Sequence, residues 1–291
     1  MRGSIASAFH CAARYSSFLI QRGAKTSAAP VYVGVEHLSG ENEGISVVSL
    51  NRPAAKNALS YQLLSELGIT VASLAENWKV RCVVFKSAVP NIFCAGADLK
   101  ERAKMSPAEA GVMTSKIRGT FADVSNIPVP TIALVEGPAI GGGTELALAC
   151  DFRVGSGDAR FALPETKLGI IPGGGGTQRL PRLIGLSKAK ELIFTGRSVD
   201  CDEAAKIGIL DFLDYGLADK KAMSLARDIV QNGAPLALRA AKRAIDRGSN
   251  VKMDTALDLE GQFCTLLLPT KDRLEGLKSF EEKRKPNFTG Q

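Results

Sequence analysis

Apolar and polar positions along the chain switch repeatedly between a strand period and a helix period. "VYVGVEHL" (31–38) and "GISVVSLNRP" (44–53) are short runs rich in β-branched residues on either side of "SGENE", and they predict two adjacent strands joined by a turn. In "SYQLLSELGITVASLAENW" (60–78), Leu63, Leu67, Val71 and Leu74 recur at helical spacing, with Ser60 placed as an N-cap. "RCVVFKS" (81–87) and "PTIALVEG" (130–137) are continuous apolar runs of strand length, separated by a helix predicted from Pro107 to about Ser125. "DFRVGSG" and "ARFALPE" predict two short strands, and "PGGGGTQRLPRLIG" a glycine turn feeding a helix. From about residue 185 onward the pattern is almost wholly helical. Strand–helix–strand units with buried strands mean an α/β fold with much parallel pairing, and the helical tail reads as a further layer.

Composition changes this picture little. The chain has 291 residues, 45% hydrophobic and 23% charged, which suits one large core with an appendage. No apolar run approaches the ~20 residues a membrane-spanning helix needs. The formal charge of +7 suggests nucleic acid, but it is unevenly placed. Residues 1–29 hold Arg2, Arg14, Arg22 and Lys25 and no acid; without them 33 basic residues face 30 acidic ones, a net of +3. This Arg-spaced, Ser- and Ala-rich leader reads as a mitochondrial transit peptide, with a plain basic terminus as the alternative, and predicts a mature protein in the mitochondrial matrix.

The six cysteines include no CxxC pair, which argues against a disulfide framework or a zinc site. The only histidines are His10 and His37, so a Ser-His or Cys-His triad lacks its base, Cys94 included. Acid–base chemistry is left to carboxylates, lysine or tyrosine.

Glycine-rich segments narrow the chemistry further. "GPAIGGG" (137–143) lacks the G-x-G-x-x-G spacing of a dinucleotide site, and "PGGGGTQR" (172–179) lacks the GK[ST] of a phosphate loop. Glycines opening a buried helix do offer free N–H groups to a ligand, and Gly142 is the candidate. "CAGADLKE" (94–101) follows the same logic, with small Gly96 and Ala97 and with Asp98 placed to cap a helix. Two such donors aimed at one oxygen make an oxyanion hole; tight turns that merely need positive φ are the alternative. Glu145 opens the apolar run "ELALAC", where a carboxylate is costly unless something holds it, although capping by the helix dipole is the simple alternative. Glu165 lies between apolar stretches in "ALPETKLGIIPGGGG", with a loop ion pair to Lys167 as its alternative. Together the two suggest a carboxylate pair whose pKa values are set by environment.

"FCAGADLKE", "GGGTELALACD" and "PETKLGIIPGGGGTQRLPRLIG", in this order and spacing, resemble the enoyl-CoA hydratase/isomerase (crotonase) superfamily. The likeness continues through "AKELIFTGR" to "TKDRLEGLKSFEEKRKPNFTG" and covers residues 31–291. Within the superfamily the chain looks most like mitochondrial hydratases of the methylglutaconyl-CoA type and of the plant type. The resemblance implies an α/β crotonase fold: a spiral of β-β-α units with a C-terminal helical layer that assembles trimers. It divides the chain into residues 1–29, a transit peptide; 30–232, the spiral core; and 233–291, the helical trimerisation region.

The resemblance also implies a hydro-lyase that adds water across the C2=C3 bond of a 2-enoyl-CoA thioester. Short-chain or 3-methylglutaconyl-CoA would be the substrate, in fatty-acid or branched-chain amino-acid breakdown. Glu145 and Glu165 fall on the family's two catalytic glutamates, and the N–H groups of Ala97 and Gly142 on its oxyanion hole. Lys56, Ala58, Ala97, Asp98, Leu99, Lys100 and Gly142 fall where the family contacts its thioester substrate. No metal and no separate cofactor is implied, because coenzyme A is part of the substrate. The implied partners are the acyl-CoA and further copies of the chain, as a trimer or a dimer of trimers, without a membrane.

Isomerases of the superfamily usually keep one acid at the two glutamate positions, so retention of both favours hydration. The methylglutaconyl type also includes binding of AU-rich RNA through a lysine-rich helix. The matching helix here holds Glu66 and Glu76 with only Lys79 at its end, which removes the basic face a phosphate backbone requires. The acyl pocket is expected to be walled by Lys104, Met105, Val112, Met113 and C-terminal helices of the same or a neighbouring subunit, none of which dictates a carboxylated, branched or straight acyl group.

Overall fold

The computed structural model describes residues 30–291, so the transit-peptide reading of residues 1–29 lies outside the described residues. The strands are β1 (Val33–His37), β2 (Ile45–Leu50), β3 (Cys82–Ser87), β4 (Thr131–Val135), β5 (Pro138–Ile140), β6 (Phe152–Gly155), β7 (Arg160–Ala162), β8 (Ser198–Val199) and β9 (Phe212–Leu213). The helices of the core are α1 (Tyr61–Glu76), α2 (Leu99–Arg102), α3 (Pro107–Ser125), α4 (Gly142–Ala149), α5 (Gly176–Ile184), α6 (Leu186–Thr195), α7 (Cys201–Ile207) and α8 (Ala218–Asn232). Then come α9 (Pro235–Gly248), α10 (Met253–Leu267) and α11 (Lys271–Glu281).

One sheet runs β1-β2-β3-β4-β6-β9, with β1 antiparallel to β2 and every other neighbour pair parallel. The second sheet, β5-β7-β8, starts parallel and ends antiparallel. The unbroken apolar runs have a packing cause, since the middle strands are covered on both faces. Val83 and Phe85 of β3 share a cluster with Leu63, Leu67 and Val71 of α1. Cys82 and Val84 point the other way, into a cluster with Ala222, Ala226 and Val230 of α8. Local signals fix the helix starts: the Ser60 hydroxyl accepts from the Leu63 N–H at 3.2 Å, and Ser106 with Glu109 forms a capping box ahead of Pro107.

The helical tail differs from its sequence pattern in one respect. β8 and β9 interrupt it, each only two residues long, too short for alternation to register. β9 nonetheless extends the main sheet as its last strand.

Residues 31–291 form one compact unit. The Lys242 ammonium of α9 meets the Asp151 carboxylate at 2.5 Å, and the Arg239 guanidinium stacks over Trp78 at 4.5 Å. α10, by contrast, buries none of its residues, and Leu257, Leu266, Leu274, Leu277 and Phe280 of α10 and α11 are exposed.

Candidate active site

Two loops converge beside α4. The loop at residues 94–98 is bridged to β5 through Cys94 and Ala139, and to Leu59 through Ala97. In the second bridge the Leu59 N–H donates to the Gly96 carbonyl at 2.7 Å, and the Asp98 N–H donates to the Leu59 carbonyl at 3.3 Å. A parallel bridge of this kind engages the groups flanking Ala97, so the N–H of Ala97 itself faces the opposite side. Its neighbour there is Gly142, whose N–H, as the first of α4, has no acceptor within the helix. Glycine permits this approach. Gly96 takes φ +86°, and a Cβ there would lie 2.5 Å from the Ile140 carbonyl, while one on Gly143 would run into the Cys94 carbonyl. The two amides therefore open onto one cleft of about 720 Å³, with the dipole of α4 behind them.

Glu145 lies in the same cleft, only 2% exposed. It does not cap its own helix: one carboxylate oxygen, Oε1, accepts from the N–H groups of Gly174 and Gly176, both at 2.8 Å. The turn bearing them is clamped by Arg179, which donates to the carbonyls of Gly174 at 2.9 Å and Phe121 at 3.3 Å. Burial pushes the Glu145 pKa up, and the two N–H bonds and the charges of Arg179 and Arg102 pull it back. Glu165 is set differently. Its Oε2 is buried without a hydrogen-bond partner, and Lys167 donates to the Gly196 carbonyl at 2.9 Å instead of pairing with it. Burial raises the Glu165 pKa to about 7; the negative charge of Glu145 adds to this, while a backbone hydrogen bond and Arg102 oppose it. Burial therefore raises both carboxyls, Glu145 against two N–H donors and two cations, and Glu165 to about 7 with one oxygen left without a partner.

Glu165→Gln is therefore expected to raise the melting temperature in mildly alkaline buffer but not in acid. Between the ordinary carboxylate value of 4.5 and about 7, the unfolded chain releases this proton while the folded chain keeps it. Stability from this group is complete below 4.5 and is lost as pH rises through about 7, whereas the glutamine variant loses nothing. At about 1.4 kcal/mol per pH unit the gap approaches ~3 kcal/mol, reduced by the water an open cleft admits. Melting curves of both proteins across that range check it; parallel curves would mean an ordinary carboxylate.

The model of the enoyl-CoA hydratase/isomerase family matches residues 40–291. The chain belongs to the enoyl-CoA hydratase/isomerase family. It is 51% identical over 262 residues to human mitochondrial methylglutaconyl-CoA hydratase, covering 88% of this chain and 77% of that one. It is 47% identical over 265 residues to the probable enoyl-CoA hydratase 2, mitochondrial, of Arabidopsis thaliana, covering 91% and 88%. The crystal structure of enoyl-CoA hydratase from Bacillus anthracis matches with a TM-score of 0.86 at 44% identity, over 90% of this chain and 100% of that one. The fold is the crotonase fold, and by this kinship the protein is an enzyme of the hydro-lyase class.

This hydratase/isomerase cleft gathers Ala97, Leu99, Gly142, Glu145 and Glu165 from the positions singled out in the sequence. Lys56, Ala58, Asp98 and Lys100 are not among its lining residues. Asp98 caps α2, accepting from the Lys100 and Glu101 N–H groups at 3.1 Å, and pairs with Arg52 at 2.8 Å. Ala58 is buried, with its carbonyl taken by Arg52 at 2.8 Å. Lys56 and Lys100 are exposed, each adjoining a lining residue: Lys56 bonds Ala95 through its carbonyl, and Lys100 follows Leu99.

The acyl wall departs from expectation. On α3 the cleft is lined by Thr114, Ile117 and Arg118, with Lys104, Met105, Val112 and Met113 not among its lining residues, and within this one chain no C-terminal helix reaches it. The helical phase is the reason: Met113, Ile117, Phe121 and Val124 make the core stripe of α3, which turns Thr114 and Arg118 toward the cleft. Sequence reasoning also passed over Arg102, Arg179 and the amides of Gly174 and Gly176. The lone cation closing "PGGGGTQR" was the one local signal for Arg179. Among the described residues no cluster of three or more potential metal ligands occurs. Cys94 donates to the Asn57 carbonyl at 3.1 Å, and burial pushes its thiol up to about 12, which leaves it inert.

Proposed function

We propose that the protein adds water across the C2=C3 bond of 2-enoyl-CoA thioesters, within mitochondrial fatty-acid or branched-chain amino-acid breakdown. The observation that carries this reading is the pair of buried carboxylates in one cleft with two outward-facing amides, Glu145 held by two backbone N–H donors and Glu165 with one oxygen left unpartnered. The thioester oxygen sits against the N–H groups of Ala97 and Gly142. Ionised Glu145 removes a proton from water as its oxygen bonds C3, and the alkene electrons move onto the thioester oxygen as an enolate. The amides stabilise that developing charge. The enolate collapses as protonated Glu165 delivers its proton to C2. One proton then returns from Glu145 to Glu165, and the pair is reset.

An isomerase that shifts a 3-enoyl double bond needs only one group to carry a proton, so two unlike carboxylates support hydration. Purified protein given crotonyl-CoA should form the 3-hydroxyacyl thioester. Activity confined to moving a 3-enoyl double bond would make the isomerase reading the right one. RNA binding gains no support, because the first acid of α1, Glu66, is built into the fold through the N–H groups of Tyr32 at 2.6 Å and Val33 at 3.0 Å.

The mitochondrial names of the relatives and the acid-free leader support a matrix location. The exposed leucines of α10 and α11 support assembly into a trimer or a dimer of trimers through residues 233–291. Protein isolated from mitochondria is expected to begin between about residues 24 and 31 and to have trimer or hexamer mass by light scattering. An intact Met1 would refute the leader, and an active monomer the assembly.

A further inference from the structure

The base of the proposed reaction is held by a turn that has no side chains of its own to fix it. Gly174 and Gly176 present their N–H groups to Glu145 Oε1, which places the carboxylate at the N-terminus of α5. Gly175 between them takes φ +114°, a conformation that suits glycine. Neighbouring side chains press on this turn from both sides. A Cβ on Gly174 would meet Glu145 Oε2 at 2.7 Å, one on Gly176 would meet Glu145 Oε1 at 3.0 Å, and one on Gly175 would run into Nη1 of Arg179.

Local structure does not explain Arg179. It stands in the first turn of α5, where the helix dipole disfavours a cation. Among the described residues it forms no ion pair. Long side chains lean toward the N-terminus of their helix, and this one reaches back over its own first turn. Nη1 donates to the Gly174 carbonyl at 2.9 Å and Nη2 to the Phe121 carbonyl at 3.3 Å. Phe121 is fully buried in the core stripe of α3, so the guanidinium fork ties the turn to a fixed point outside it. Arg179 is not among the residues that line the cleft.

We infer that Arg179 is a positioning residue: it braces the glycine turn between α3 and α5 so that two amides converge on the Glu145 carboxylate and hold it ready to take a proton from water. The inference rests on the hydratase reading of the same cleft. The charge of Arg179 acts in the same sense as the brace, because burial pushes the Glu145 carboxyl up while the two N–H bonds, Arg179 and Arg102 pull it back. The other groups near this pair are Glu165, whose own carboxyl feels the charge of Glu145, and Cys150 at the end of α4, whose thiol burial pushes up to about 12. Arg118 of α3 stands exposed at the cleft.

The test is the pH profile of crotonyl-CoA hydration by the wild-type protein, Arg179→Met and Arg179→Lys. Methionine keeps an unbranched apolar stem and removes both the fork and the charge. Its kcat at neutral pH is expected to fall about 10- to 100-fold, the range of a hydrogen bond to a charged group, with KM unchanged. Without the brace and its charge, burial raises the Glu145 carboxyl further, so the acid limb of the profile moves to higher pH by about one unit. The alkaline limb, which reports Glu165, stays in place, since Arg179 is not among the groups acting on that carboxyl. Lysine keeps the charge, but one ammonium does not reproduce the fork, so it restores part of the rate and leaves the acid limb between the other two. An unmoved acid limb in a folded variant overturns the inference, whatever the rate. A raised KM, or both limbs moving together, overturns it as well, because the whole cleft is then disturbed. Melting curves establish folding; should the methionine variant not fold, the two limbs of the lysine variant are read against the wild type by the same criteria. A wild-type protein that does not hydrate crotonyl-CoA overturns the hydratase reading, and the inference with it.

Discussion

Glu145→Gln and Glu165→Gln are each expected to lower kcat by about 10²–10⁴, the usual contribution of a positioned acid or base. Glutamine keeps the shape of either side chain, and at Glu145 its carbonyl oxygen can still accept from the Gly174 and Gly176 N–H groups. What it cannot do is exchange a proton. KM should change little, because neither side chain is needed to hold the coenzyme A end. The two carboxylates handle one water and pass one proton between them, so the double variant should lose much less than the product of the single losses. Steady-state rates of the three variants on crotonyl-CoA, with melting curves as a folding control, decide the matter. Should Glu165→Gln hydrate normally while Glu145→Gln is dead, the two-carboxylate mechanism falls.

Gly142→Pro is expected to lower kcat/KM by about 10²–10³, the cost of one oxyanion donor. Proline suits the first position of a helix, so it deletes the N–H of Gly142 while leaving α4 able to form. It also brings a Cβ, which would meet Leu59 Cδ1 at 2.6 Å, the far end of a side chain that can turn aside. Gly142→Ala carries the same Cβ and keeps the N–H, so it isolates the packing cost. A proline variant no slower than the alanine variant would remove Gly142 from the oxyanion hole. The same logic gives the glycine its purpose, since its small size clears the approach to an amide that α4 leaves without an acceptor.

Local physical chemistry made much of this molecule legible. The Leu63–Leu74 stripe, the Ser60 cap and the Ser-Pro start of α3 act within one or two turns, so the helices lie where the pattern puts them. β3 and β4 were readable because burial on both faces demands unbroken apolar residues. The two glutamates and the two small-residue loops stood out because each breaks a local rule, with a charge in an apolar run or glycine where a helix begins.

Tertiary structure alone decided what those groups meet. The amides that hold Glu145 come from 29 and 31 residues away, and the absence of any such donor at Glu165 Oε2 is a property of the packed cleft. The difference in how the two carboxylates are held is therefore invisible to any short window of sequence. β8 and β9 exist only because longer strands offer them an edge to pair with. The rotation of α3 that buries Met113 and presents Arg118 was likewise set by the core beneath it, because an amphipathic pattern names a helix's buried face but not what the adjoining face will line.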